Sequence, residues 1–328
     1  MEYLDITDKK TEGIIKICLE NKTLIPVIGA GYTAGEKNKT GSVPNGDQFK
    51  EVMISTITSS SPALQTHVDQ LHKRSFSQIA ELYMNKDIVP RSRVKEDIEQ
   101  NFLGVKLEER KKDFLKIEWP YIYTLNIDDA IEENSKYTKV LPYLKLSEKA
   151  RSFRCIYKIH GDATHEILYD EKTSLIFSSS QYIRSLIKNE SMLLFLKTDL
   201  IENNVLFIGC SLRDEIDLLY SIVGQDETPS NASRRIYVTT KKPDPIRELD
   251  LKTYNINTVI LTPDYDTFYS KIIDIKDKSK EKEKDRLERF LFKGVNNLEA
   301  VKNINIDFIL KSEYKFNEKP HYITVPNF

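Results

Sequence analysis

The chain is poor in cysteine, with Cys18, Cys155 and Cys210 the only three among 328 residues. An odd number without a C-x-x-C pair can build neither a disulfide framework nor a four-cysteine zinc site, so three reduced, buried thiols are expected. Long apolar runs are also missing. Stretches such as Val205 to Cys210 and Met192 to Leu196 fall far short of the roughly 18 residues a membrane-spanning helix needs. The amino terminus, Met1 to Asp5, lacks the basic stretch and apolar core of a secretory signal. A soluble, cytoplasmic chain with no membrane partner is the expectation. Net charge is nearly absent as well: 49 Lys plus Arg stand against 50 Asp plus Glu. That balance argues against a surface built to grip a polyanion, and no direct nucleic-acid binding is expected. No internal repeat is found, which excludes a solenoid.

What is present is a 40% apolar fraction, enough for a sizeable core in one large domain with an appendage, or in two domains. Ile14, Ile15, Cys18 and Leu19 share a helical face within 7–21, and the apolar stretch Leu24 to Ile28 follows as a buried strand. Further short strands are read at Tyr121 to Leu125, Cys155 to Ile159, Leu175 to Phe177, Val205 to Ile208, Ile236 to Thr239 and Thr258 to Leu261. Helices are expected after Asp47 as cap, after Asn126-Ile-Asp-Asp, from Ser178, over Leu194 to Ile201, and from Thr267 to Ile275. Trp119-Pro120 reads as a packing wedge. Short apolar strands alternating with helices predict an α/β protein, a Rossmann-like parallel sheet with helices on both faces. Residues from about 55 to 118 are mostly helical and read as an inserted small domain. The main domain is expected over 1–275. Of the 14 residues Lys276 to Arg289, 12 are charged, seven basic and five acidic, which marks 276–328 as a charged linker or solvated helix with a carboxy-terminal extension.

In an open parallel sheet the ligand crevice lies outside the carboxyl ends of the strands. Four such ends carry candidate chemistry: Gly29-Ala30-Gly31, Asn126-Ile127-Asp128, His160-Gly161 and Gly209-Cys210-Ser211. Glycines straight after a buried strand permit a tight turn and the close approach of a phosphate, which suits a nucleotide or dinucleotide. Taken singly, each signal has an ordinary structural explanation. A G-A-G after a strand is a tight turn in most proteins, Asn126 serves equally as an Asx turn or helix cap, and a strand-end histidine is commonly just hydrogen-bonded. Asp214 and Asp217, beside Arg213, are open between a ribose contact and a cap for the helix Ile216 to Ile222. His165 has no second metal ligand close by, so no metal role is expected.

In combination and order, Gly29-Ala-Gly-Tyr-Thr33, Thr124-Leu-Asn-Ile-Asp128, Lys158-Ile-His-Gly-Asp162 and Gly209-Cys-Ser-Leu-Arg-Asp214 resemble the sirtuin superfamily. They are most similar to the sirtuin-like NAD-hydrolysing effector domains of bacterial antiphage defence systems, whose pattern is G-A-G-x-S, T-x-N-x-D, K-x-H-G-D and F-I-G-x-S-x-x-D. The resemblance spans about Leu24 to Leu261. It implies that Gly29, Ala30, Gly31 and Thr33 surround the pyrophosphate of NAD, with Thr33 in place of the usual Ser. It implies further that Asn126 and Asp128 border the nicotinamide ribose, that His160 is the general base, and that Gly209 and Ser211 approach the adenosine half.

Two departures stand out. The family's Gly-x-Pro motif is only loosely echoed by Val43-Pro-Asn-Gly-Asp-Gln-Phe49, and no paired cysteines lie between His160 and Val205, so the zinc ribbon of protein-deacylating sirtuins is absent. The resemblance therefore implies an NAD+ glycohydrolase releasing nicotinamide and ADP-ribose, with NAD as substrate and no metal. It would act as a toxic defence effector in a homo-oligomer or beside a sensor or ATPase module. A zinc-free deacylase or ADP-ribosyl transferase, and a non-catalytic sensor of NAD or ADP-ribose, are the competing expectations. Within the first reading Asp128 either orients Asn126 or caps the helix that follows.

Overall fold

The computed structural model describes residues 1–143, 154–169, 175–212, 215–222 and 233–291. The chain forms two compact units, Met1–Lys276 and Asp277–Phe328. The first is built on one sheet of eight strands, β1 (Glu2–Asp5), β2 (Leu24–Ile28), β3 (Ile122–Thr124), β4 (Thr138–Val140), β5 (Cys155–Lys158), β6 (Asn204–Ile208), β7 (Arg235–Thr239) and β8 (Thr258–Leu261). Their order is β1-β8-β7-β6-β2-β3-β5-β4, and every pairing is parallel. This is a Rossmann-like α/β fold.

The strands alternate between the two faces because successive side chains point opposite ways. In β2, Leu24 and Ile28 join one core with Ile122, Ile156, Leu206 and Ile208, whereas Ile25 and Val27 join the other with Tyr123, Tyr157, Val205 and Phe207. Helix α1 (Lys9–Glu20) covers the first face through Ile15, Cys18 and Leu19. The second face is covered through Met192, Leu193, Leu196 and Leu200 of a helix at Glu190–Glu202 and Leu251 of one at Pro245–Thr253. Burying both faces is what lets strands of three to five residues survive without polar alternation.

Between β2 and β3, after a 3-10 turn at Ala30–Tyr32, the chain makes six α-helices: α2 (Gly46–Ser60), α3 (Pro62–Gln65), α4 (Val68–His72), α5 (Phe76–Tyr83), α6 (Arg91–Phe102) and α7 (Glu109–Leu115). Phe49, Met53, Tyr83, Ile98, Phe102 and Phe114 make their interior continuous with the first core. A buried polar bolt ties three of them together, as Thr56 of α2 and Tyr83 of α5 donate to Asp97 Oδ2 of α6 at 2.7 and 3.1 Å. Trp119 is the wedge its sequence position predicts, buried against Phe114 with its Nε1–H on the Phe114 carbonyl at 3.0 Å.

Several sequence expectations need correction. Asp47 is not the cap of α2: Asn45 is, accepting from Gln48 N at 2.9 Å in a reciprocal capping box, and Asp47 lies inside the first turn. Leu175 to Phe177 is buried but belongs to no strand among the described residues; its backbone leans on the site instead, with Ile176 N donating to the His160 carbonyl. Edge strands β1 and β4 escaped the sequence reading because they are short and only partly apolar, and are strands only because β8 and β5 offer them free edges. The last helix among the described residues runs over Tyr265–Leu291, through much of the charged run rather than stopping at Ile275. The three cysteines are buried, and none forms a disulfide. Among the described residues no helix is long and apolar enough to cross a membrane.

Candidate functional site at the strand ends

The chain leaves β2 toward β3 on one side and later returns to β6 on the other, so the topological switch flanks β2. The four motifs follow β6, β2, β3 and β5, which are adjacent in the sheet, and their loops are laced together by backbone bonds that prolong the ladders. Gly29 N donates to Ile208 O, Leu125 N to Ile28 O, Ile159 N to Thr124 O and Ala163 N to Ile127 O, each at 2.8 or 2.9 Å.

The glycines have a definite task in this arrangement. Gly209 has φ +66°, and a Cβ placed on it would lie 2.4 Å from Tyr32 N and 2.7 Å from Gly31 C. A Cβ on Gly29 would meet Gly209 O at 2.6 Å. Two loops thus cross backbone on backbone, and Gly31 N–H is donated to Gly209 O at 2.8 Å. The tip, Ala30 and Gly31, is exposed. Beyond it, Tyr32 donates to the Lys111 carbonyl of α7 at 2.8 Å, while buried Glu36 pairs with Lys111 and accepts Glu108 N at 3.0 Å. The glycine loop is thereby pinned to the helical insertion.

Thr33, Asn126 and Asp128 form one buried relay. Asn126 Nδ2 donates to Thr33 Oγ1 at 2.9 Å, Thr33 Oγ1 donates to Asp128 Oδ2 at 2.7 Å, and Asp128 Oδ1 accepts Ala130 N at 3.1 Å. A hydroxyl has one hydrogen, and here it goes to the carboxylate, so only the NH₂ end of the Asn126 amide can face Thr33. Asn126 Oδ1 is left buried with no hydrogen-bond partner among the described residues. Asp128 thus holds Thr33, which holds the Asn126 amide, and its Oδ1 takes the N–H of Ala130; the N-cap position of helix α8 (Ala130–Glu133) is Asp129. Burial pushes its carboxyl above the ordinary value, against the opposing pull of Lys158, Thr33 and Ala130 N. The neighbouring Asp129 accepts Gly104 N and Val105 N at 2.7 and 3.0 Å, tying the same turn to the insertion.

His160 follows β5, 8% exposed, with its ring edge-on to Tyr182 at 5.4 Å. Tyr182 sits on helix α10 (Ser179–Lys188), whose start is fixed twice: Ser178 and Gln181 form a capping box, and Ser180 donates through Oγ and N to Glu81 of α5 at 2.7 and 3.1 Å. Gly161 takes φ +96°, and Asp162 caps helix α9 (Ala163–Leu168) by accepting His165 N at 2.7 Å. Ser211, by contrast, is exposed and donates to Glu215 at 2.6 Å. Arg213 and Asp214 lie outside the described residues, as does the side chain of Asp217.

Sequence reasoning passed over Glu132 and Lys139 and assigned no task to Lys158. All three belong to a charged network directly beneath the two motif turns, with Lys158 Nζ 2.7 Å from Glu132 Oε1 and 2.8 Å from Asp162 Oδ2. A signal existed: Lys158 closes the otherwise apolar Cys155-Ile-Tyr, where a lysine can be accommodated only if paired. No group of His, Cys, Asp and Glu side chains suited to a metal is found among the described residues.

A family model described as a SIR2-like domain matches residues 120–259. The match contains Asn126, Asp128, His160, Gly209 and Ser211, and the loop of Gly29 to Thr33 lies ahead of it. It supports a place in the sirtuin-like superfamily and points to NAD-related chemistry. No curated protein matches the chain.

Proposed function

We propose that the chain is an NAD+ glycohydrolase, taking NAD+ as substrate and releasing nicotinamide and ADP-ribose. The observation that carries this reading is the lone acceptor, Asn126 Oδ1, oriented by Thr33 and Asp128 at the end of a central strand next to the strand that delivers His160.

The nicotinamide of NAD departs as a neutral molecule, so no acid is needed to protonate it. What the reaction needs is stabilisation of a ribosyl cation and a placed water. An oriented amide oxygen can accept a hydrogen bond from a ribose hydroxyl or from the attacking water. An imidazole can take the proton, and histidine is the side chain suited to do so near neutral pH. Two features favour hydrolysis over deacylation: the sequence has no paired cysteines for a zinc ribbon, and its small insertion is helical. On this reading the protein depletes NAD in the cytoplasm as an antiphage defence effector, held off until infection by its homo-oligomer or by a sensor or ATPase module.

The test is incubation with NAD and chromatography of the products, wild type beside Asn126→Ala and His160→Ala. Equal nicotinamide and ADP-ribose from the wild type, and a loss of roughly 10²–10⁴-fold in rate for His160→Ala, are expected. Turnover only when a protein acceptor is added would replace hydrolysis by transfer. Binding without turnover, unaffected by His160→Ala, would make the site a sensor.

A further inference from the structure

Lys158, the last residue of β5, is 0% exposed, and the chemistry proposed above gives it no task. Its ammonium contacts two backbone carbonyls and two carboxylates: Ile127 O at 3.2 Å, Asp128 O at 2.6 Å, Glu132 Oε1 at 2.7 Å and Asp162 Oδ2 at 2.8 Å. Three of these partners belong to the two motif turns, and Glu132 to helix α8. Ile127 and Asp128 directly follow Asn126, and Asp162 comes two residues after His160. Lys139 of β4 closes the network from the rim, 3.0 Å from Asp162 Oδ1 and 3.8 Å from Glu132 Oε1.

Burial works against charge on Lys158, yet Glu132, Asp162 and Asp128 together outweigh it and raise its pKa. Burial likewise opposes charge on Asp162, and there the ammonium of Lys158 prevails and holds the carboxyl below its usual range. The pair is therefore ionised at neutral pH. Stability alone is a poor reason to keep it, because well-packed apolar residues often replace a buried ion pair at no loss. An apolar side chain cannot, however, hold two carbonyls of one turn and a carboxylate of the other.

We propose that Lys158 is a positioning residue that clamps the Asn126 turn to the His160 turn, holding the amide acceptor and the imidazole at one separation across a single ribose. The kinetic part of this inference rests on the glycohydrolase reading; the clamp itself does not.

The experiment uses the full chain carrying Lys158→Met, Glu132→Gln and Asp162→Asn together, which removes the buried ammonium with both carboxylates it contacts and leaves only Lys139, whose side chain is 33% exposed and reaches water. Hydrogen exchange read by mass spectrometry without substrate is expected to quicken at least about tenfold in both turns, 125–130 and 160–164, and to stay unchanged in β6. The kcat for nicotinamide release is expected to fall at least about tenfold while KM for NAD stays within about threefold. Wild-type exchange in both turns, or a wild-type kcat, would overturn the clamp, since a merely structural network would be replaced without kinetic cost. If the triple variant does not fold, Asp162→Asn decides. That variant keeps a cap acceptor for α9, so faster exchange confined to 160–164 with a lowered kcat supports the clamp, and unchanged exchange overturns it. A wild type that releases no nicotinamide leaves exchange alone to judge the clamp.

Discussion

Thr33 Oγ1 accepts the Nδ2–H of Asn126 at 2.9 Å across 93 residues of chain, and because its own hydrogen is spent on Asp128 it cannot hold the amide oxygen instead. The amide is thus oriented by a residue from a different strand end, and the prediction concerns the hydroxyl. Thr33→Val keeps the shape and removes both bonds, leaving Asp128 Oδ2 and Asn126 Nδ2 buried without that partner. Nicotinamide release should drop more than tenfold, and stability by about 1–3 kcal/mol. Thr33→Ser retains the hydroxyl and should stay close to wild type in both; equal loss in the two variants would refute the relay.

Gly209→Ala should be severely destabilising, because its Cβ would sit 2.4 Å from a backbone nitrogen at a positive φ. Neither backbone can yield without separating β2 from β6. The matched control is Gly13→Ala in α1, where a Cβ meets nothing within 4 Å. That change should stabilise by about 0.5–1 kcal/mol, since glycine inside a helix is unfavourable by that amount relative to alanine. Thermal unfolding of the two variants side by side checks both signs.

On the other face of the sheet, Tyr121 and Tyr123 donate to the two oxygens of Asp199 at 2.6 Å each, anchoring the helix Glu190–Glu202 to β3. Tyr123→Phe removes one bond to a carboxylate and should cost about 1.5–3 kcal/mol in denaturant unfolding. It should leave nicotinamide release unchanged at temperatures where the variant is folded. A selective loss of activity in a fully folded Tyr123→Phe protein would show that this cluster reaches the site.

Alkali should unfold the protein cooperatively. Burial raises the phenols of Tyr32, Tyr123 and Tyr269 well above their ordinary value, and that of Tyr265 to about 12. Unfolded tyrosines ionise near pH 10, so above that pH the unfolded chain releases protons that the native one keeps. The stability these groups contribute is complete below about pH 10 and is lost as pH rises toward and past the native values. Phenolate absorbance titrated beside circular dichroism should show the buried tyrosines ionising in one step with loss of structure. Gradual ionisation with the secondary structure intact would refute it.

Much of this molecule was legible along the chain wherever one residue type has one structural use. Buried strands declared themselves as apolar runs at Leu24–Ile28 and Val205–Ile208, and Ser178 with Gln181 declared a helix start. The corrected cap of α2 shows the limit of such reading. Asn45 and Asp47 are both capping residue types, and the reciprocal bonds with Gln48 that choose Asn45 are a matter of two residues of register. Leu175 to Phe177 has strand composition, but among the described residues it belongs to no strand, and composition alone does not decide pairing. In β4, Thr138–Val140 has little strand signal, and the exposed edge of β5 makes it one.

The sequence by itself determined the short apolar strand runs and the helical burial patterns, hence the α/β class, and the identity and order of the strand-end motifs. Those properties follow from which side chains water rejects and which backbones a glycine permits. Tertiary structure decided what the motif residues do to one another. Only a sheet order that sets β6, β2, β3 and β5 side by side puts Thr33 between Asn126 and Asp128, crosses Gly209 over Gly31, and buries Lys158 under two turns. Hydrogen bonds and ion pairs of that kind act over about 3 Å, so they exist only once residues as distant in sequence as Thr33 and Asn126 have been brought together.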